Sequence, residues 1–216
     1  MKTTIGILLL MFPFVINGQI KLKKMTIKNS EFGIVETFKV LKTDQSIRHG
    51  EYIRKRKGQL LAKGTYNFGQ KETFQYFDSD GSILLEYNYQ EHKIINYKEP
   101  NNYDHYLDLK TKTQADRIPL PLFSPDELRI FIAMNVRYPL EAMESGVSGR
   151  PKIAIKINKT GQVIDCVIFE SSHKALDDES LRVLKKLPKT WNFVPAMKDG
   201  KPTESFVIVP VNFIIA

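Results

Sequence analysis

Four histidines, one cysteine and a serine pair are the side chains of this 216-residue chain best suited to do chemistry. His49, His92, His105 and His173 are scattered, without the close spacing that lets imidazoles share one metal ion, so neither metal nor cofactor is expected. Ser171-Ser172-His173 sets hydroxyls beside an imidazole, but as chain neighbours, with no nucleophile elbow around them. Asp177-Asp178-Glu179 falls where a helix should begin, and negative charge there complements unpaired N–H groups. That capping role is favoured over acid–base work. Cys166 lies in the apolar stretch VIDCVIF and reads as a small buried hydrophobe, and a lone cysteine closes no internal disulfide. There is no phosphate loop and no dinucleotide glycine pattern. No catalytic residue is assigned, and the expectation is a protein that binds rather than catalyses.

Composition is that of an ordinary globular protein, 42% hydrophobic and 26% charged. Residues 1–18 have the form of a secretory signal peptide: Lys2, then the apolar run Ile5–Ile16, then Asn17-Gly18-Gln19. That run is shorter than the roughly 20 residues a spanning helix needs, so cleavage and export are expected, with an uncleaved inner-membrane anchor as the alternative. The net charge of +8 is concentrated: residues 20–63 hold twelve Lys and Arg against four acids, densest at Arg54-Lys55-Arg56-Lys57. Such a patch could meet an anionic surface, while a solvated face is the plainer reading and nucleic acid is not expected for an exported chain.

Residues 19–97 read as a basic, β-rich module. The stretch GQLLAKGTY from Gly58 recurs as GSILLEYNY from Gly81, an offset of 23 residues, with aromatic strands ahead of each glycine. Asp80-Gly81 is a hairpin signal. Stacked hairpins in an antiparallel meander are expected, and the pattern resembles degenerate MORN-type repeats. Residues 98–123 show no sustained period and carry three prolines; they read as a linker with docking of Leu120, Leu122 and Phe123.

Ser124-Pro125-Asp126-Glu127 then carries the marks of a helix start, with serine at the N-cap and glutamate at the capping-box position. A second helical piece follows Tyr138-Pro139 and stops at Gly146. Ile153, Ile155 and Ile157 alternate with Lys152 and Lys156, which predicts a half-buried strand; a return strand covers 162–169. A helix is expected over 177–187, and SFVIVPVNFII makes the last strand. The fold class expected for residues 124–216 is α+β, two helices on a three-stranded antiparallel sheet.

Several features of that region, in order, resemble the C-terminal domain of the TonB energy-transducer family. They are Tyr138-Pro139, Gly146 and Gly149, Gly161, then Trp191, Phe193 and Pro195 in Trp-x-Phe-x-Pro-Ala, and Gly200 in the following hairpin. The resemblance implies a periplasmic or cell-envelope protein that grips the N-terminal segment of TonB-dependent outer-membrane transporters by strand addition. It also implies energy transduction from a proton-driven inner-membrane motor complex. The edge it would use is the last strand: Phe206, Val207, Ile208, Val209, Val211 and Phe213. Pro210 inside that strand suits an edge. The alternative is an envelope scaffold, uncoupled from the motor, that holds a protein or wall partner through the β-repeats.

Overall fold

The computed structural model describes residues 20–98 and 116–215. The signal-peptide segment and most of the expected linker lie outside the described residues. Among those described, no helix is long and apolar enough to cross a membrane.

The N-terminal module is one seven-stranded antiparallel meander, β1 Leu22–Asn29, β2 Ile34–Leu41, β3 Arg48–Arg56, β4 Gln59–Asn67, β5 Gln70–Phe77, β6 Ile83–Asn88 and β7 Lys93–Tyr97, paired in chain order. The 23-residue offset is the length of one hairpin, since Gly58 and Gly81 stand in the β3–β4 and β5–β6 turns. The period follows from the meander itself and does not show the MORN-type resemblance. One row of side chains crosses the sheet in register: Phe38 opposite Tyr52, Tyr52 opposite Gly64, Gly64 opposite Phe74, Phe74 opposite Tyr87. Gly64 is the gap that lets the row close. A Cβ there would stand 2.5 Å from the Phe74 ring and 2.7 Å from the Thr73 carbonyl oxygen, so only glycine lets Phe74 lie flat across the strand.

The basic run divides by strand parity. Arg54 and Arg56 share a face with Tyr52, because they pair with Glu36 and Ile34 of β2, whereas Lys55 lies on the other face. The run is therefore not one solvated face; Arg54 points into the molecule.

The chain resumes with β8 Leu120–Pro121, then α1 Pro125–Asn135, α2 Leu140–Glu144, β9 Lys152–Ile157, β10 Val163–Glu170, α3 Lys174–Leu184, β11 Phe193–Val194, β12 Ala196–Lys198, β13 Lys201–Thr203 and β14 Ser205–Pro210. Strands β10, β9 and β14 form an antiparallel sheet in that order. The fold class is α+β as expected, with α3 on the sheet and α1 and α2 against α3. Ile153, Ile155 and Ile157 are at most 1% exposed and pack with Val207, Val209, Leu176 and Leu184. Each such side chain contributes roughly 1.5–3 kcal/mol by leaving water.

Helix α3 starts at Lys174 rather than Asp177 because His173 caps it, its Nδ1 accepting from the Ala175 N–H at 3.3 Å. Asp177 reaches back to accept from the Ser171 hydroxyl and the Ser172 N–H. The residues that could have been read as a catalytic cluster thus fasten the start of a helix. Residues 116–121, within the expected linker, run beside the Trp segment: β8 pairs with β11, and Arg117 pairs with Met197.

The two modules share a seam. Leu120 and Val194 are buried with Phe38, Tyr52, Phe74 and Tyr87 of the meander, and Ile130 of α1 is buried with Ile34 and Leu61.

Candidate functional site

Strand β14 lies at the edge of its sheet, bonded to β9 on one side; among the described residues no strand pairs with the other. Its parity follows from the register. Val211 N–H donates to Pro151, and Phe213 and Gly149 exchange both backbone bonds at 2.9 and 3.0 Å. The pairing of Ser205 with Ile157 continues in the same register to Phe213 with Gly149. Val207, Val209 and Phe213 therefore spend their backbone groups on the chain's own sheet, as Val211 does its N–H, Pro151 opposite it having none to give in return. Phe206, Ile208, Pro210 and Asn212 turn theirs outward. Pro210 stands where its missing N–H costs the β9 ladder nothing, which is why an apolar core strand can contain it. The sequence marked the strand, but only register separates the outward members from the inward ones.

The glycines and aromatics picked from the sequence hold this sheet in place. Tyr138 donates its hydroxyl to the Val147 carbonyl at 2.7 Å and meets Phe213 edge-on. Pro139 caps α2, and Gly146 ends it. Phe193 is buried and donates its N–H to the Gly161 carbonyl at 2.8 Å. Gly161 has φ +82°, and a Cβ there would collide with the Phe193 carbonyl, so both its dihedral and its contact demand glycine. The Pro195 carbonyl accepts from Arg117, and Gly200 sits in the β12–β13 turn. Trp191 stacks on Phe123 with ring centroids 4.6 Å apart and leans on Phe131, sealing one end of the core.

Residues 134–215 match the family model of the Gram-negative bacterial TonB protein C-terminal. This region is a TonB C-terminal domain. The match takes in the sheet, α2 and α3, and leaves the meander and nearly all of α1 outside. No curated protein and no solved structure matches the chain.

The TonB C-terminal domain meets the meander at a second site that the sequence did not reveal. A cleft of about 300 Å³ opens there, with Trp191 and Phe123 on one side and Tyr52, Tyr66 and Phe74 on the other. At its base Arg54 pairs with Glu127 at 2.6 Å, while Glu127 also accepts the Ser124 N–H at 2.8 Å. The capping-box glutamate thus doubles as the counter-ion of a strand residue. Burial raises the Glu127 carboxyl above its usual range, against the opposing pull of Arg54. Ser124 donates its hydroxyl to the Phe77 carbonyl of the meander at 2.7 Å. Glu36 accepts from the Tyr52 hydroxyl at 2.9 Å and lies 3.6 Å from both Arg48 and Arg54. Burial pushes the Lys71 ammonium down to about 8, helped by Arg48 and Arg54 and opposed by Glu127.

The remaining candidates have structural surroundings. Cys166 is buried with its Sγ against the Leu184 carbonyl, and burial pushes its thiol up to about 11, away from thiolate reactivity. His49 accepts from the Phe68 N–H. His105 lies outside the described residues. Among the described residues no three of His, Cys, Asp and Glu gather as metal ligands.

Proposed function

We propose that the chain is a cell-envelope protein whose TonB C-terminal domain binds the N-terminal segment of TonB-dependent outer-membrane transporters by strand addition along β14, in support of energy-driven nutrient transport. The observation that carries this reading is the alternation on β14 within a domain of this family. Phe206, Ile208 and Asn212 turn N–H and C=O groups away from β9 in register, and Pro210 an acceptor alone; Ile208 and Pro210 are themselves buried, so an incoming strand must also open what covers them. Backbone pairing of this kind supplies affinity without requiring a particular partner side chain at each step, which suits a module serving several transporters. The meander occupies the position between an N-terminal apolar segment and the transducing domain, and its docking onto α1 and β8 would give that domain a fixed platform.

The test is calorimetric titration of the full chain with transporter N-terminal peptides, using two proline variants as a pair. Ile208→Pro removes an outward N–H and is expected to weaken peptide binding by about tenfold or more, while keeping the domain folded at a cost of about 1–2 kcal/mol in packing. Val209→Pro removes a bond to β9 and is expected to unfold the domain. Undiminished peptide binding by a folded Ile208→Pro protein would eliminate strand addition at this edge.

A further inference from the structure

The seam between the modules contains more positive than negative charge. Arg48, Arg54 and Lys71 line the cleft against Glu36 and Glu127. Arg54 is matched by Glu127, and Arg48 rests loosely on Glu36 with its guanidinium over the Phe38 ring at 4.3 Å. Lys71 has no carboxylate within ion-pair distance among the described residues. Its ammonium donates at long range to the hydroxyls of Tyr76 (3.3 Å) and Tyr89 (3.4 Å) and otherwise faces the rings of Phe74 and Tyr89, 4.8 and 5.0 Å away. A cation withdrawn from water and answered only by ring faces and long hydroxyl contacts is under-compensated. An anion entering the cleft would complete it.

We infer that this cleft binds a small monocarboxylate carried on a single ring, aromatic or sugar, with the carboxylate held by Lys71 and Arg48 and the ring lying against Trp191 and Tyr66. Three cations against two carboxylates leave one positive charge to answer, which matches a monoanion better than a phosphate ester. The guanidinium of Arg48 is planar and held by long contacts, the Tyr66 hydroxyl at 3.3 Å and Glu36 at 3.6 Å, beside three ring faces, so its fork can exchange the Tyr66 contact for a carboxylate. The rings lining the cleft offer flat apolar faces, and its volume stands at the lower end of small-molecule pockets, where one ring fits and a chain of rings does not. None of the lining residues belongs to β14. The site is therefore separate from the strand edge, and its failure would leave the strand-addition reading untouched.

Trp191 is the sole tryptophan and lines this cleft, so its selectively excited fluorescence responds to a ligand there; it also borders a second cleft beside Leu184 and Lys185, which the Lys71 variants distinguish because Lys71 lines only the first. The full chain is titrated with 4-hydroxybenzoate, with glucuronate, with the amide of each, and with acetate. A saturable change with at least one ring carboxylate below about 1 mM is expected, with no saturation by its amide or by acetate below about 10 mM. Which of the two acids saturates distinguishes an aromatic from a sugar ligand. Lys71→Met should bind about tenfold more weakly while melting no lower than the parent, because it removes an under-compensated charge. In the parent, binding should weaken as pH rises above about 8, where Lys71 discharges. Lys71→Arg should not show that loss, although the same Arg48, Arg54, Glu36, Glu127, Tyr76 and Tyr89 surround it. No saturation by either acid, an equal response to an amide or to acetate, or full affinity in Lys71→Met would each overturn the inference. Should Lys71→Met fail to fold, the pH profiles of the parent and Lys71→Arg decide: identical profiles overturn it.

Discussion

In the TonB C-terminal domain the sheet shows α3 an aliphatic face, Ile153, Ile155, Ile157, Val207 and Val209, whereas the meander shows its neighbour Phe38, Tyr52 and Phe74 together with Glu36, Arg54 and Lys71. The two faces use different means to the same end. An aliphatic core gains from leaving water wherever it is covered, so it tolerates many partners and is stable by closing on its own helix. A face that mixes rings with charges gains only when each buried charge finds its counterpart, so it demands one docking geometry. The C-terminal domain should therefore stand by itself, while the meander depends on the seam.

The largest effect is expected from cutting the seam at its ion pair. Glu127→Gln leaves Arg54 with only the longer contact to Glu36 at 3.6 Å and should cost up to about 3 kcal/mol, whereas Arg54→Met with Glu127→Leu should cost far less. Urea unfolding followed by Trp191 fluorescence and by far-ultraviolet circular dichroism should then separate into two transitions for Glu127→Gln, the meander opening first. A single shared transition would show that the C-terminal domain is not self-sufficient.

A smaller effect is expected inside the meander. Gly64→Ala forces a Cβ against the Phe74 ring and the Thr73 carbonyl and should cost about 2 kcal/mol, read as a lower melting midpoint with the aromatic row displaced. The smallest is a pH effect. Lys71 titrates at about 8 in the folded chain and near its ordinary 10.5 when unfolded, so between those values the unfolded chain binds more protons and stability rises with pH. The slope is at most about 1.4 kcal/mol per pH unit. Tyr52, Tyr76 and Tyr89, all pushed up by burial, act the other way once the unfolded tyrosines ionise near 10, so the window for the rise is pH 8 to 10. Melting curves of the parent and Lys71→Met across that window check it, and the variant should lack the rise.

Legibility differed between the two regions for the same reason. The alternation of Ile153, Ile155 and Ile157 with lysines, the capping residues at Ser124 and Glu127, and the turn at Asp199-Gly200 are local signals, and each element stands where they place it. The start of α3 is local too: the acids at 177–179 place it three residues late, because the cap is the imidazole of His173 and not one of the usual capping side chains. What could not be read was any role conferred by a distant partner. Arg54 looked like part of a solvated basic run, and Glu127 like a capping residue, because nothing in either neighbourhood names the other. Strands β1 and β2 were visible only as charge, since their inward residues acquire a face only when β3 lies beside them.

The sequence by itself determined most of the helices and strands after residue 124, which face of the last sheet is apolar, and which family residues 134–215 resemble, since those properties reside in periods of two to four residues and in motif spacing. Tertiary structure alone decided which backbone groups of β14 look outward, because that parity is set by the strand it pairs with. It alone decided that a lysine, two arginines and a tryptophan should line one cleft, because the cations meet only when β3, β4 and β5 pair, and Trp191 joins them only after the two modules have packed.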